Sequence, residues 1–327
     1  MKTGHVISMS LGGALICAAM VTSCIRDGGN LPVALPDNDR VAIVPEAGFT
    51  SVTPESRGDL PSGPVTGTSF AASTTKLFAV TAYKGTIPSG NYSAAYFDNQ
   101  PVQSDALSKL SFTTDQYYPA DGADLYFYAY SPVAAAGSPG YAEGTTTTPP
   151  TVTWTIDGQQ DIMAAQVISG YHRVPSGQTH PNFPFTHKLT RVQFKFVRGT
   201  GFGGGINVTS ISLKNCKPTA TLNLMTGDLT FSGTPTSLTL TGAYPIKATA
   251  DNPPVIDKSL MCEAGASSLL ISVTAGGITY LDCTVPLAST QSGKNHLVTL
   301  TFEGTKIEPT ATITNWEDGG TGGGTIK

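Results

Sequence analysis

The sequence predicts an all-β protein of two sandwich domains, and three observations carry that expectation. Hydrophobic residues make up 39% of the 327 positions and aromatic residues 8%, enough apolar surface to build a core. Short runs rich in Thr, Val, Ile, Tyr and Phe recur at spacings of roughly 8–15 residues, the rhythm of a sandwich or barrel. The runs are punctuated by 36 Gly and 23 Pro, the residues that end strands and make turns. The length suggests two domains rather than one.

Composition also excludes several classes. Charged residues are 13% of the chain, about half the usual share of roughly 25%. Net charge is −4, from 19 Lys+Arg and 23 Asp+Glu, with no basic cluster of the kind that binds nucleic acid. The 45 Thr and 27 Ser take the place of the Ala, Glu, Lys and Leu that helical bundles need.

The elements follow in order. Lys2 and the small-residue-rich apolar run Val6–Val21 read as an export signal, too short to span a membrane. The run ends in Val21-Thr22-Ser23-Cys24, which resembles a bacterial lipoprotein signal with Cys24 as the lipidated first residue of the mature chain. Such a lipid anchors the chain to a membrane without spanning it. Residues 1–23 are thus signal peptide and 24–40 a polar tether. Val41 to Val52 is a first weak strand, followed by the turn Pro54-Glu55-Ser56-Arg57-Gly58 and a loop through Gly67.

Leu77 to Tyr83 alternates, Asn91 to Phe97 is aromatic, and Leu125 to Tyr130 is apolar on both faces, as a central strand would be. Thr151 to Ile156 places Val152, Trp154 and Ile156 on one face. The Pro/His/Gly loop from Gly170 to Pro184 divides the chain into an N-terminal domain, 41–184, and a C-terminal domain, 185–316. In the second, Val192, Phe194 and Phe196 face one way, opposite Arg191, Gln193 and Lys195. Val298, Leu300 and Phe302 alternate with polar neighbours. In Lys306 to Trp316, Ile307, Ala311 and Ile313 share one face and Glu308, Thr310, Thr312 and Thr314 the other. Residues 317–327 form a Gly-rich tail.

Motifs that look like chemistry lack their context. Gly67-Thr68-Ser69-Phe70-Ala71-Ala72 resembles the serine segment of subtilisin-like proteases, but no histidine has the setting of a general base. Gly199, Gly201 and Gly204 have dinucleotide-fingerprint spacing, but strand sequence follows where a helix is required, so a hairpin-type loop is expected. His172, His180 and His187 are too widely spaced for a zinc pair. Cys216, Cys262 and Cys283 have no C-x-x-C spacing; a Cys262–Cys283 disulfide and free buried thiols are both open. The tyrosines 117, 118, 126, 128 and 130 are expected in core and edge. No catalytic residue, metal or cofactor is expected.

Several segments together resemble the fimbrillin and Mfa-like family of Bacteroidia, the type V pilus subunits. They are Tyr118-Pro119-Ala120-Asp121-Gly122 leading into Leu125 to Pro132, then Gln160 to Ala165, then Phe185 to Phe196, and the closing Ile313-Thr314-Asn315-Trp316 with its Gly tail. The resemblance implies two transthyretin-like β-sandwich domains with antiparallel, Greek-key-like strands. It implies export as a lipoprotein to the outer membrane and cell surface, and assembly with other pilus subunits by strand exchange, supporting adhesion. In related subunits a protease cuts after an Arg and releases the first strand. Arg57 fits that role, with Arg40 as runner-up, although a cut at Arg40 leaves the strand in place. The donor would be Lys306 to Asn315, with Ile307, Ala311 and Ile313 entering the neighbour's groove. Two features depart from the family pattern: Ile25-Arg26-Asp27 is a poor surface-export signal, and Pro309 lies within the donor strand. The competing readings are a monomeric surface lipoprotein that binds a glycan or a host or bacterial surface ligand, and a secreted hydrolase, for which no convergent carboxylates or triad are found.

Overall fold

The computed structural model describes residues 40–49, 76–105, 109–133, 140–174, 177–304 and 306–315. The N-terminal half supplies β1 (Glu46–Phe49), β2 (Lys76–Lys84), β3 (Ala95–Ser104), β4 (Leu110–Phe112), β5 (Leu125–Ser131), β6 (Gly140–Ala142), β7 (Thr151–Thr155), β8 (Met163–Tyr171) and β9 (Asn182–His187). The C-terminal half supplies β10 (Thr190–Arg198), β11 (Asn207–Cys216), β12 (Thr219–Asn223), β13 (Leu229–Ser232), β14 (Thr236–Pro245), β15 (Lys247–Ala248), β16 (Val255–Cys262), β17 (Ser268–Ala275), β18 (Ile278–Pro286), β19 (Lys294–Glu303) and β20 (Lys306–Asn315). Among the described residues the only helical element is the short 3-10 turn Thr249–Asp251. The protein is all-β.

Seven N-terminal strands form one sheet in the order β1-β9-β8-β5-β2-β3-β4. The doubly apolar β5 takes the central place, as its sequence predicts. Phe78 of β2 lies 5.0 Å from Phe185 and 5.7 Å from Phe183 of β9, ring centre to ring centre. In a flat sheet, strands three positions apart are separated by roughly 14 Å, so the sheet curls and folds these rings into one core. Phe97, Phe112 and Phe127 complete that core with edge-on and tilted contacts.

The alternation of Leu77–Tyr83 leads to a half-exposed strand, yet all seven residues are buried. The second face of the sheet is covered too. There Thr81 donates a hydrogen bond to Asp98 at 2.9 Å, Tyr130 donates to Asn99 at 2.7 Å, and the Tyr141 hydroxyl also bonds Asp98. Thr81, Tyr130 and Tyr141 can lie inward because each finds a partner, whereas the buried Tyr128 hydroxyl has none among the described residues.

The cover is a second sheet of two hairpins, β13-β12-β7-β6. Two of its strands come from each side of residue 184: β7 pairs with β12 through Trp154↔Ala220 and Val152↔Leu222. Trp154 is fully buried, donates to the Pro132 carbonyl at 3.3 Å and meets Tyr130 edge-on. One continuous apolar cluster therefore runs from Ala79 and Tyr130 through Trp154 into the C-terminal half.

There, β15-β10-β19-β20, with β16 also on β10, packs against β14-β11-β17-β18. Val192, Phe194 and Phe196 meet Val298, Leu300 and Phe302 as the alternation predicts, all essentially buried. The opposite side of β10 is less exposed than its polar sequence suggests: Arg191 is buried and its Nε donates to Ser259 Oγ at 3.2 Å. Most pairings are antiparallel, but β1–β9, β10–β15 and β10–β19 are parallel. Parallel neighbours need a long crossover, and for β10–β19 the intervening strands provide it. The loop bearing Gly199, Gly201 and Gly204 joins β10 to β11, which lie in different sheets, so it is a crossover between sheets and not a hairpin. Cys216, Cys262 and Cys283 are free thiols, and the neighbour of Cys262 is Cys216, not Cys283.

Candidate assembly edges

The last strand is a sheet edge. All ten residues of β20 register with β19, from Glu303↔Lys306 to Lys294↔Asn315, and the other side of β20 carries no strand among the described residues. The period-two pattern is realised: Ile307, Pro309 and Ala311 are half-buried, while Lys306, Glu308, Thr310 and Thr312 are exposed. Ile307 and Ala311 pack on the C-terminal core, opposite Phe302 and Val298. Ile313 shares their face but is 42% exposed, opposite His296. Pro309 is accommodated because an edge strand tolerates a missing N–H.

β20 is thus held mainly by its backbone ladder, whereas β19 beneath it is held by fully buried Val298, Leu300 and Phe302. A fully buried Ile contributes about 1.5–3 kcal/mol, so half-buried Ile307 contributes roughly half of that. Lys306, at the start of the strand, pairs with Glu308 at 2.6 Å and Glu303 at 3.7 Å, and these carboxylates raise its pKa. Beside β20, the edge strand of the facing sheet, β18, exposes Ile278 and Leu281.

His296, next to this edge, is fully buried. Its Nε2 accepts a 3.4 Å hydrogen bond from the Gln291 N–H, and burial pushes its pKa down.

The second edge is N-terminal. β1 runs parallel to β9 with Glu46↔Asn182 to Phe49↔Phe185 in register. The chain before it is held by an isolated bridge, Ala42↔Tyr117, and by the Ile43 N–H donating to the Gln116 carbonyl at 2.8 Å. Ile43 is buried in the N-terminal core, with Val41 and Ala47 packed beside it. Ile43 is the anchor that sequence reasoning missed; its signal was one Ile within Val41-Ala42-Ile43-Val44. Arg40 is exposed, its guanidinium 5.6 Å from the centre of the Tyr117 ring. Cys24, Arg57 and the serine segment Gly67–Ala72 lie outside the described residues.

The three histidines of the central loop do not converge: His172 pairs with Asp124 at 3.0 Å, and His187 with buried Asp161 at 2.9 Å. Of the tyrosine cluster, Tyr118, Tyr128 and Tyr130 are buried, and desolvation raises the pKa of Tyr118 and Tyr128 to about 12.

The fold defines an all-β protein with two open sheet edges, of which β20 is held chiefly by its backbone ladder. Comparison with known proteins narrows that class. A model of the family described as Fimbrillin-like matches residues 65–316, and the chain belongs to this family, one of structural fimbrial subunits and not of enzymes. A candidate fimbrium subunit, Fim1C of Bacteroides uniformis, is 24% identical over 95% of this chain and 97% of its own length. The crystal structure of a fimbrial protein from Bacteroides vulgatus superposes with a TM-score of 0.59 at 14% identity, over 85% of this chain and 99% of that one. A candidate cell adhesion protein from Bacteroides ovatus gives a TM-score of 0.58 at 17% identity, over 85% and 97%. At these identities the likeness is one of fold.

Proposed function

We propose that the chain is a structural subunit of a type V pilus, exported as a lipoprotein through Cys24 to the outer membrane and assembled at the cell surface by strand exchange. Its strands correspond to two transthyretin-like sandwich domains whose junction falls after β9, with β12 and β13 lent to the sheet that covers the first. Proteolysis after Arg57 releases the segment that contains β1. That uncovers the β9 edge and the core site filled by Ile43, both at once. Residues 306–315 of the next subunit then add as a strand, their backbone completing the ladder and Ile307, Ala311 and Ile313 filling the groove. Cleavage at Arg40 leaves β1 attached and is the less effective alternative. Partners are other pilus subunits, and adhesion to a host or bacterial surface is a property of the assembled fibre.

The observation that supports this reading best is the incomplete burial of the apolar face of β20 in a Fimbrillin-like chain. Its ladder is complete, yet its apolar face is only half-desolvated, so transfer to a closed groove gains buried area. Limited trypsin treatment of the purified chain tests it. Cut protein is expected to form ladders that resist SDS, and deletion of 306–327 to abolish them. Cut protein that stays monomeric at high concentration rejects the proposal.

A further inference from the structure

Three late cysteines have no place in strand exchange, and two of them meet. Cys216 ends β11, in the sheet with β14 and β17, whereas Cys262 ends β16, in the facing sheet on β10. Simple alternation from inward-facing Leu213 would turn Cys216 outward. Instead the β11–β14 register slips between Leu213↔Leu238 and Cys216↔Thr236, three residues against two. Asn215 sits at φ +61°, the left-handed conformation that absorbs the extra residue of a bulge. The bulge returns Cys216 to the inner face, where its thiol reaches the Leu213 and Lys214 carbonyl oxygens at 3.7 Å and lies near enough to Cys262, on the wall of the same cavity, for the two thiols to interact. The following residues are joined as well: Lys217 Nζ lies 2.9 Å from Glu263 Oε1. Cys216 and Cys262 both line a cavity of about 500 Å³, with Lys214 and Glu263 also on its wall; Cys216 is half-buried and Cys262 buried.

We propose that Cys216 and Cys262 are a modification site: they close into a disulfide that staples the two sheets of the C-terminal sandwich, leaving Cys283 as a free thiol. The oxidant is an exogenous disulfide, RSSR. The Cys216 thiolate attacks one sulfur of RSSR and releases one RS⁻, which takes the proton lost by Cys216. The Cys262 sulfur then attacks Cys216 in the mixed disulfide, forms the protein S–S bond and expels the second thiolate, protonated by the Cys262 proton. The chain loses two hydrogens and two electrons, and RSSR becomes two RSH. The division of labour agrees with the surroundings. The interaction with Cys262 draws the Cys216 thiol below its ordinary pKa, and the same interaction, reinforced by burial, pushes Cys262 well above it. Cys283 lies on β18, opposite Ile271, and burial raises its pKa too. The inference is independent of the pilus reading, because it rests on the C-terminal sandwich alone.

The test is to treat the full-length reduced chain with oxidised glutathione, alkylate the remaining thiols, and map the peptides by tandem mass spectrometry without reduction. A Cys216–Cys262 link with alkylated Cys283 is expected. The bond closes a loop of about 46 residues, so the oxidised chain should melt at least roughly 5 °C above the reduced one. C216S and C262A should each lose that oxidant-dependent rise, each compared with its own reduced form. A Cys262–Cys283 link, stable glutathionylation of Cys216 without the internal bond, or alkylation of all three thiols overturns the proposal.

Discussion

Replacing Trp154 by Ala removes the largest side chain at the junction of the two halves. Truncating a buried Trp costs about 3–5 kcal/mol through lost transfer energy and the cavity left behind. The indole also donates to the Pro132 carbonyl, and that lost bond adds about 1 kcal/mol. The edge-on contact with Tyr130 is already counted in the truncation. A total of roughly 4–6 kcal/mol is a large share of the 5–15 kcal/mol that holds a typical domain. β7 carries Trp154 between β6 and β12, so the loss should reach both halves. Hydrogen exchange read by mass spectrometry in rising urea reports on each half separately, through β5 and β10. The expected result is that both lose protection at one lowered midpoint. If β5 peptides open early while β10 peptides keep their parental midpoint, the halves are independent and the joint-sheet argument is refuted.

Three further outcomes follow from the same geometry. Tyr141→Phe deletes the hydroxyl that binds Asp98 and pins β6 to the N-terminal sheet, and should lower stability by about 1.5–3 kcal/mol in urea titrations. His296 has a depressed folded pKa, so below the ordinary value of about 6.5 the unfolded chain binds the proton first. Stability should be level in this contribution above that pH and fall as pH drops below it; H296Q should flatten that fall, and an unchanged slope would rule out the assignment. R57A should block trypsin-triggered ladders while R40A permits them; the reverse would place the functional cut before β1.

The fold was legible where burial is one-sided or complete along a strand. β5, β7, β19 and β20 each follow their apolar pattern, because side-chain period and sheet face are tied together. It was illegible where tertiary cover overrides pattern. β2 is buried on both faces because Thr81 and Tyr83 find polar partners under a sheet two of whose four strands come from the other half, and nothing local announces the Trp154–Ala220 pairing. The inward turn of Cys216 depends on one bulge, which a strict alternation reading places on the wrong face. The apolar face of the last strand was readable from Ile307, Ala311 and Ile313, but not that it is only half-covered, since that depends on the facing edge of β18. The anchoring role of Ile43 was hidden in a short Val/Ile run with no period.

Strand exchange is tested most directly by complementation with the donor alone. The full-length chain, whose own β20 keeps the β19 edge occupied, is cut with trypsin at high dilution in the presence of excess synthetic peptide of residues 306–315. The account predicts that cut chain takes up one peptide per molecule and melts higher, that uncut chain takes up none, and that an I307D peptide fails to bind. No uptake by the cut chain, or equal uptake by cut and uncut chains, would contradict it.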